Sequence, residues 1–279
     1  MPGPRLIRDF LLTRGRSFSY GPHGSQRADL HLPRDSGSRP PLMVLIHGGS
    51  WRARYSKIVM RGLAGDLLRR GWAVWNIEYR RVGNGGGWPQ TFEDVAAAID
   101  HLAELDAPFD LERVNVLGHS AGGHLALWAS SRHNLPPGAP GYREGGPRVR
   151  LRRAIALAGV CDLGDGYRRW NGGAVHALMG GAPEDLPDRY AAGDPIRLLP
   201  LGMPVLLVHG TEDETVSIEL SRNYQRAVIA AGGEGELVEI AGAPGGHRAH
   251  LDPRGEAWRA VVQRLGGGAA AEPRRSGLG

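Results

Sequence analysis

The apolar run Val114-Asn115-Val116-Leu117 leads into Gly118-His119-Ser120-Ala121-Gly122, and Gly123-His124-Leu125-Ala126-Leu127-Trp128-Ala129 follows. The first segment suits a buried strand, and the last is rich in helix formers. Between them lies G-x-S-x-G, whose geometry is demanding. Its serine sits on a sharp, strained strand-to-helix turn with the hydroxyl projecting. Bulky side chains two residues to either side collide there, so glycine is needed at both places. A helix starting near Ala121 aims its first free backbone N–H groups at charge developing beside Ser120. One short segment thus predicts a buried strand, a presented nucleophile and an anion-stabilising helix end.

Upstream, Pro41-Leu42-Met43-Val44-Leu45-Ile46 reads as a strand buried on both faces, and it ends in His47-Gly48-Gly49-Ser50-Trp51. Successive glycines let a backbone approach a ligand closely and turn its amides inward. The N–H groups of Gly48 and Gly49, facing that of Ala121, are candidate donors to an oxyanion. Losing one such donor costs about 2.7–4 kcal/mol of transition-state stabilisation. A tight Gly-Gly turn without a chemical role is the competing reading. Trp51 is either a wall of the substrate pocket or a packing group against the sheet.

Downstream, Met203-Pro204-Val205-Leu206-Leu207-Val208-His209-Gly210 reads as another buried strand, followed by Thr211-Glu212-Asp213-Glu214-Thr215-Val216. An acidic run is usually a solvated loop, yet sites gather just past the carboxyl ends of strands in open parallel sheets. Asp213 is the candidate to orient a histidine, while Glu212 and Glu214 are assigned to the surface. Asp162, after the strand Ala154-Ile155-Ala156-Leu157-Ala158, is the competitor. The alternating segment Glu236-Leu237-Val238-Glu239-Ile240 opens onto a glycine-rich loop ending in Gly245-Gly246-His247. His247 is the candidate base. His250 is the alternative, read as a surface or capping residue beside the last helix. His119 is expected to pack beside the elbow as a candidate pocket residue, and His47 and His209 to brace backbone nearby. The order Ser120, Asp213, His247 differs from the orders of chymotrypsin-like and subtilisin-like triads.

Between these segments strands and helices alternate. Residues 27–32 read as an early antiparallel strand and Ala73-Val74-Trp75-Asn76-Ile77 as a central one, with a helix over 57–70 between them. Helical spacing recurs in Phe92, Val95, Ile99 and Leu102, in Leu220, Tyr224, Val228 and Ala231, and in Trp258, Val261 and Leu265. The pattern predicts an α/β fold, a mostly parallel central sheet with helices on both faces. One domain over residues 1–265 is expected, with an irregular lid or pocket-wall insertion at about 164–200 and a disordered tail at 266–279. The chain is 41% hydrophobic and 23% charged, as globular proteins are. A net charge of +5 raises the question of nucleic acid, but the excess is arginine spread along the chain, Lys57 being the only lysine. No aromatic-basic interleaving accompanies it, and no nucleic-acid partner is expected. Residues 6–12 are short and interrupted by charge, so neither a secretion signal nor a membrane span is read there, and a cytoplasmic location is expected. Cys161 has no disulfide partner, and no His/Cys/Asp cluster has metal-ligand spacing, so no cofactor or metal is called for.

Further matches join these motifs: Glu78-Tyr79-Arg80-Arg81, the extension of the elbow to Gly123-His124, His209-Gly210-Thr211-Glu212-Asp213, and Gly246-His247 followed by Asp252-Pro253. Over residues 17–265 the chain resembles the alpha/beta-hydrolase family, particularly its HGG-type branch of carboxylesterases, kynurenine formamidases and feruloyl-esterase-like enzymes. The resemblance implies an alpha/beta-hydrolase fold and a serine hydrolase acting through an acyl-enzyme. Ser120 would be the nucleophile, His247 the base, Asp213 its orienter, and Gly48, Gly49 and Ala121 the oxyanion hole. It favours His247 over His250 by the final spacing. The implied substrate is a small-molecule ester or amide: carboxylic esters of small to medium acyl groups first, N-formylkynurenine as the alternative. A peptidase and a silent ligand-binding protein stand further behind. Arg248 departs from the branch, where an aromatic residue is common. Oligomeric state stays open, with a homodimer among the options.

Overall fold

The computed structural model describes residues 15–34 and 39–265, so the tail expected at 266–279 lies outside the described residues. Among the described residues eight strands form one sheet: β1 (Arg16–Ser19), β2 (Arg27–His31), β3 (Pro41–Ile46), β4 (Ala73–Ile77), β5 (Asp110–His119), β6 (Leu151–Leu157), β7 (Val205–Gly210) and β8 (Gly235–Ile240). Their order across the sheet is β1-β2-β4-β3-β5-β6-β7-β8. Only β2 runs against its neighbours, pairing antiparallel with both β1 and β4. The parallel centre explains the apolar runs: every residue of β3, β4 and β7 is buried, as strands covered on both faces require.

Helices α1 (Arg61–Arg69) and α8 (Glu256–Leu265) cover one face. Leu63, Leu67, Trp258 and Val261 pack there against Met43, Leu45, Leu117 and Val208. Trp258 Nε1 donates to Asp66 Oδ2 at 2.7 Å, joining the two helices. On the other face lie α2 (Gln90–Asp100), α3 (Ala121–Ser130) and α7 (Glu219–Ala230), which set Phe92, Leu125, Trp128 and Tyr224 against Leu42, Val44 and Val116. The helix expected over 57–70 begins as a 3-10 turn, Lys57–Met60, and becomes α1 at Arg61.

The insertion at 164–200 is more regular than its composition implies. It carries three helices of seven residues each, α4 (Leu163–Arg169), α5 (Gly173–Met179) and α6 (Pro187–Gly193). Helices this short do not hold themselves; tertiary contacts order them. Trp128 Nε1 donates to the Ala192 carbonyl and His124 Nε2 to the Gly193 carbonyl, both at 2.9 Å, so α3 clamps the end of α6. Asp194 accepts the backbone N–H groups of Leu163 at 2.9 Å and Gly164 at 3.1 Å, tying the same end to the start of α4. Among the described residues no helix is long and apolar enough to cross a membrane.

Candidate active site

The carboxyl ends of β3, β5, β7 and β8 all open on one edge of the sheet, and the four sequence signals sit just beyond them. Ser120 joins β5 to α3 with φ 56° and ψ −119°, a conformation that strains any residue with a side chain. A Cβ on Gly118 would lie 1.9 Å from the Gly122 carbonyl oxygen, and one on Gly122 would lie 2.1 Å from that of Ile46. Neither position has room for a methyl group, so both outer glycines of the motif are set by backbone contact. The turn is held from below, where Ser120 N–H donates to the Leu157 carbonyl at 2.8 Å.

β3 runs beside β5 in parallel register and delivers the His-Gly-Gly segment to the same corner. A Cβ on Gly48 would stand 3.0 Å from Ser120 Cβ, which puts this backbone against the nucleophile. Ala121 is the first residue of α3, where backbone N–H groups have no partner within the helix. The position of the glycine segment is secured from behind. His47 Nδ1 lies 2.8 Å from the Gly48 carbonyl oxygen, and its Nε2 lies 2.8 Å from Glu78 Oε1. Tyr79 stacks on the His47 ring at 4.5 Å and donates its hydroxyl to the His47 carbonyl at 2.8 Å. Arg81 reaches Glu78 Oε1 at 2.9 Å, and the Lys57 N–H donates to Oε2 at 3.1 Å. Burial alone would raise the Glu78 carboxyl, but the His47 hydrogen bond and the charges of His47 and Arg81 hold it below the ordinary range. His47 is therefore a brace, as its position at the strand end implied. The bracing role of Glu78 and Arg81 was not assigned from sequence, although the motif containing them was visible.

Asp213 and His247 meet. His247 Nδ1 donates to Asp213 Oδ2 at 2.8 Å, and the carboxylate is fully buried. Asp213 Oδ1 accepts the N–H groups of Thr215 and Val216, both at 2.9 Å. His209 adds to this: its Nε2 donates to the Val216 carbonyl at 2.8 Å and lies 3.4 Å from Asp213 Oδ2, while Nδ1 engages Ser221 Oγ at 2.7 Å. Burial pushes the Asp213 carboxyl up, yet the hydrogen bonds from His209, His247 and the Val216 N–H prevail and hold it well below the usual carboxylate range. The two loops are pressed together by glycine, since a Cβ on Gly210 would lie 1.6 Å from the Gly245 carbonyl oxygen. Glu212 and Glu214 are exposed, as expected. Asp162 is occupied elsewhere, accepting Asp165 N–H at 2.7 Å as the N-cap of α4.

Three other histidines and Trp51 complete the surroundings. His119 links the segments of Ser120 and His247. Its Nε2 donates to the His247 carbonyl at 2.9 Å, and the two rings lie 4.7 Å apart. Burial, then the neighbouring His247, hold the His119 ring down to about 3. His250 is not a surface residue: it is 0% exposed, because the 3-10 turn Ala249–Leu251 folds it under the loop, where Nδ1 donates to the Gly246 carbonyl at 3.2 Å. Trp51 is 1% exposed and stands edge-on to His124 at 5.3 Å, the environment of a packing group.

A β5–Ser–α3 elbow on a mostly parallel sheet, with an acid after β7 and a histidine after β8, defines an alpha/beta-hydrolase. Within that class the chain belongs to the BD-FAE family, whose model matches residues 28–228. That span includes Ser120 and Asp213 and ends before His247. The chain is 28% identical over 239 residues to Esterase LipQ of Mycobacterium tuberculosis, covering 82% of this chain and 56% of that protein. It is 25% identical over 241 residues to isoprenylcysteine alpha-carbonyl methylesterase ICME of Arabidopsis thaliana, covering 81% and 55%. It thus spans a little over half the length of these relatives. Among solved structures, a truncated carbohydrate esterase from gut microbiota superposes with a TM-score of 0.73 at 23% identity, covering 85% of this chain and 91% of that one. An esterase from Thermogutta terrifontis gives 0.69 at 23% identity, with 90% of each chain covered. At these identities the structures establish the fold.

Proposed function

We propose that this protein hydrolyses carboxylic esters of small to medium acyl groups, with Ser120 as nucleophile, His247 as base and Asp213 as its orienter. The observation that carries this reading is the Asp213–His247 hydrogen bond of 2.8 Å on the strand edge that also holds the strained Ser120. With Nδ1–H donated to Asp213, the His247 ring keeps Nε2 unprotonated and able to accept. Ser120 Oγ gives its proton to Nε2 while bonding to the ester carbonyl carbon. The oxygen of that carbonyl takes up the electron pair and is met by the N–H groups of Gly48, Gly49 and Ala121. Collapse breaks the bond to the alkoxy oxygen, which leaves with the proton from His247. Water then repeats the sequence on the acyl-enzyme, releasing the acid and restoring the serine. The buried Asp213 carboxylate stabilises the imidazolium of both steps. The esterase names carried by the curated relatives support the substrate class.

The test is turnover of p-nitrophenyl acetate, butyrate and octanoate beside N-formylkynurenine, with Ser120→Ala as control. The expected result is ester turnover that falls with chain length and disappears in Ser120→Ala. A strong preference for N-formylkynurenine would replace the substrate assignment with a formamide. Equal turnover by wild type and Ser120→Ala would overturn the mechanism.

A further inference from the structure

His119 is the variable residue before Ser120 in the G-x-S-x-G elbow. It ends β5 in register with Leu157 of β6, so its backbone belongs to the centre of the sheet. Its side chain crosses to a loop that lies 128 residues away in sequence and donates Nε2–H to the main-chain carbonyl of His247 at 2.9 Å. Its ring also stands beside the His247 ring, 4.7 Å between centroids and tilted by 47°. On its other side, a Cβ on Gly48 would lie 3.1 Å from His119 Nδ1 and 2.5 Å from the His119 carbonyl oxygen. One side chain therefore touches the nucleophile segment, the base loop and the glycine segment.

The base loop needs such a support. Where the loop leaves β8, the Ile240 carbonyl accepts Thr211 N–H of the neighbouring acid loop at 2.9 Å, and Asp213 holds the His247 ring from the side of β7. Those contacts fix where Nδ1 points. A shift of the loop backbone at His247 would carry Nε2 away from Ser120. A donor fixed to β5 and directed at the His247 carbonyl opposes that movement from the Ser120 side. Asp213, His250 at 6.4 Å and His247 are the titratable groups facing His119, and burial keeps its own ring neutral. His119 then adds no positive charge beside the base.

We infer that His119 is a positioning residue, a strut from the central strand that holds the His247 loop in line with Ser120. The inference rests on the assignment of Ser120 and His247 above, and it replaces the pocket role expected for His119 from sequence.

His119→Phe keeps the ring and removes the donor; His119→Gln removes the ring and restores an N–H donor at nearly the same reach. With p-nitrophenyl acetate, His119→Phe is expected to lose roughly 10- to 100-fold in kcat with little change in KM, because misplacement of a catalytic group acts on the chemical step. His119→Gln is expected to recover most of that loss. Amide hydrogen exchange in residues 242–251 should quicken in His119→Phe and return toward wild type in His119→Gln. Wild-type kcat and exchange in His119→Phe would overturn the inference, as would a Gln variant no better than the Phe variant in both measurements. If the wild type cleaves no ester and Ser120 resists a fluorophosphonate, the proposed function fails instead. The exchange comparison then still decides whether His119 holds the loop.

Discussion

The two halves of the site are held by different physics. The half built on β3, β5 and α3 is fixed by backbone sterics: Gly118 and Gly122 have no room for a Cβ, and Ser120 is strained into place between them. The half built on the loops after β7 and β8 is fixed by side-chain hydrogen bonds, with Asp213 receiving His209, His247 and two backbone N–H groups. The elbow of the first half leaves no room for a larger residue at its outer glycines, although its glycine segment also leans on the His47–Glu78–Arg81 network. The hydrogen-bonded half can be reshaped one group at a time, and its alignment depends on protonation. A nucleophile can be presented by geometry alone, whereas a base must keep both its orientation and its proton.

The largest effect that separates the halves is Asp213→Asn. The amide keeps the size and one acceptor oxygen but loses the charge and the preference for one His247 tautomer. A loss of about 10⁴-fold in kcat is expected, by analogy with the same change in serine triads. Circular dichroism should stay that of the wild type. Retention of more than a tenth of the activity would break the assignment of Asp213 as orienter and return attention to the other acids on the edge. Gly122→Ala should behave in the opposite way. A methyl group 2.1 Å from the Ile46 oxygen forces backbone apart, costing about 1–3 kcal/mol or more of stability. Urea unfolding measures it. An unshifted midpoint would mean that the elbow is softer than its contacts imply.

The same division explains what could be read from the chain. The elbow is legible because its demands are local: two glycines and a serine within five residues encode the steric problem and its solution. The sheet is legible for a similar reason, since fully buried parallel strands such as β3 and β7 leave uninterrupted apolar runs. The 164–200 insertion is not, because its three short helices are stabilised by partners on α3 and by Asp194 rather than by their own periodicity. Asp162 and Asp213 both follow strands, and the structure separates them by the local cap that occupies Asp162 and the His247 ring that meets Asp213. The contacts of His119 and His250 are not legible in the sequence, because each depends on where a remote or tightly turned segment places a carbonyl. No spacing rule encodes that. The Glu78–His47–Arg81 brace fell between these cases, its residues visible as a motif and its partnership visible only in space.

The smallest effect expected from any single group is a dependence of stability on pH, and groups in both halves take part in it. Burial first of all holds His119 to about 3 at the end of β5, His124 to about 4 beneath the elbow, and His250 to about 4 in the loop after β8. His31 on β2 shifts the same way, to about 4, outside both. In the unfolded chain each of these rings takes a proton near pH 6.5. Between there and pH 4 the unfolded state binds protons that the folded state refuses, so stability falls as pH falls. Asp213 runs on a different window: its depressed carboxyl contributes stability that is complete above the ordinary carboxylate range and is lost only as pH drops below it. Lowering the pH from 7 to 5.5 titrates these rings together with Asp194. Burial and the neighbouring Asp162 push that carboxyl up to about 7, so it adds stability as pH falls and partly offsets them. Each fully buried ring should contribute a loss on the order of 1 kcal/mol over that interval. Urea midpoints at the two pH values measure the sum, and His250→Gln should flatten the difference by one ring's share. Amide exchange at pH 5.5 then locates the loss, which is expected to open residues 242–251 before the β5–α3 corner. If both segments opened together, the two halves would form one cooperative unit and the contrast between them would hold only for the resting geometry.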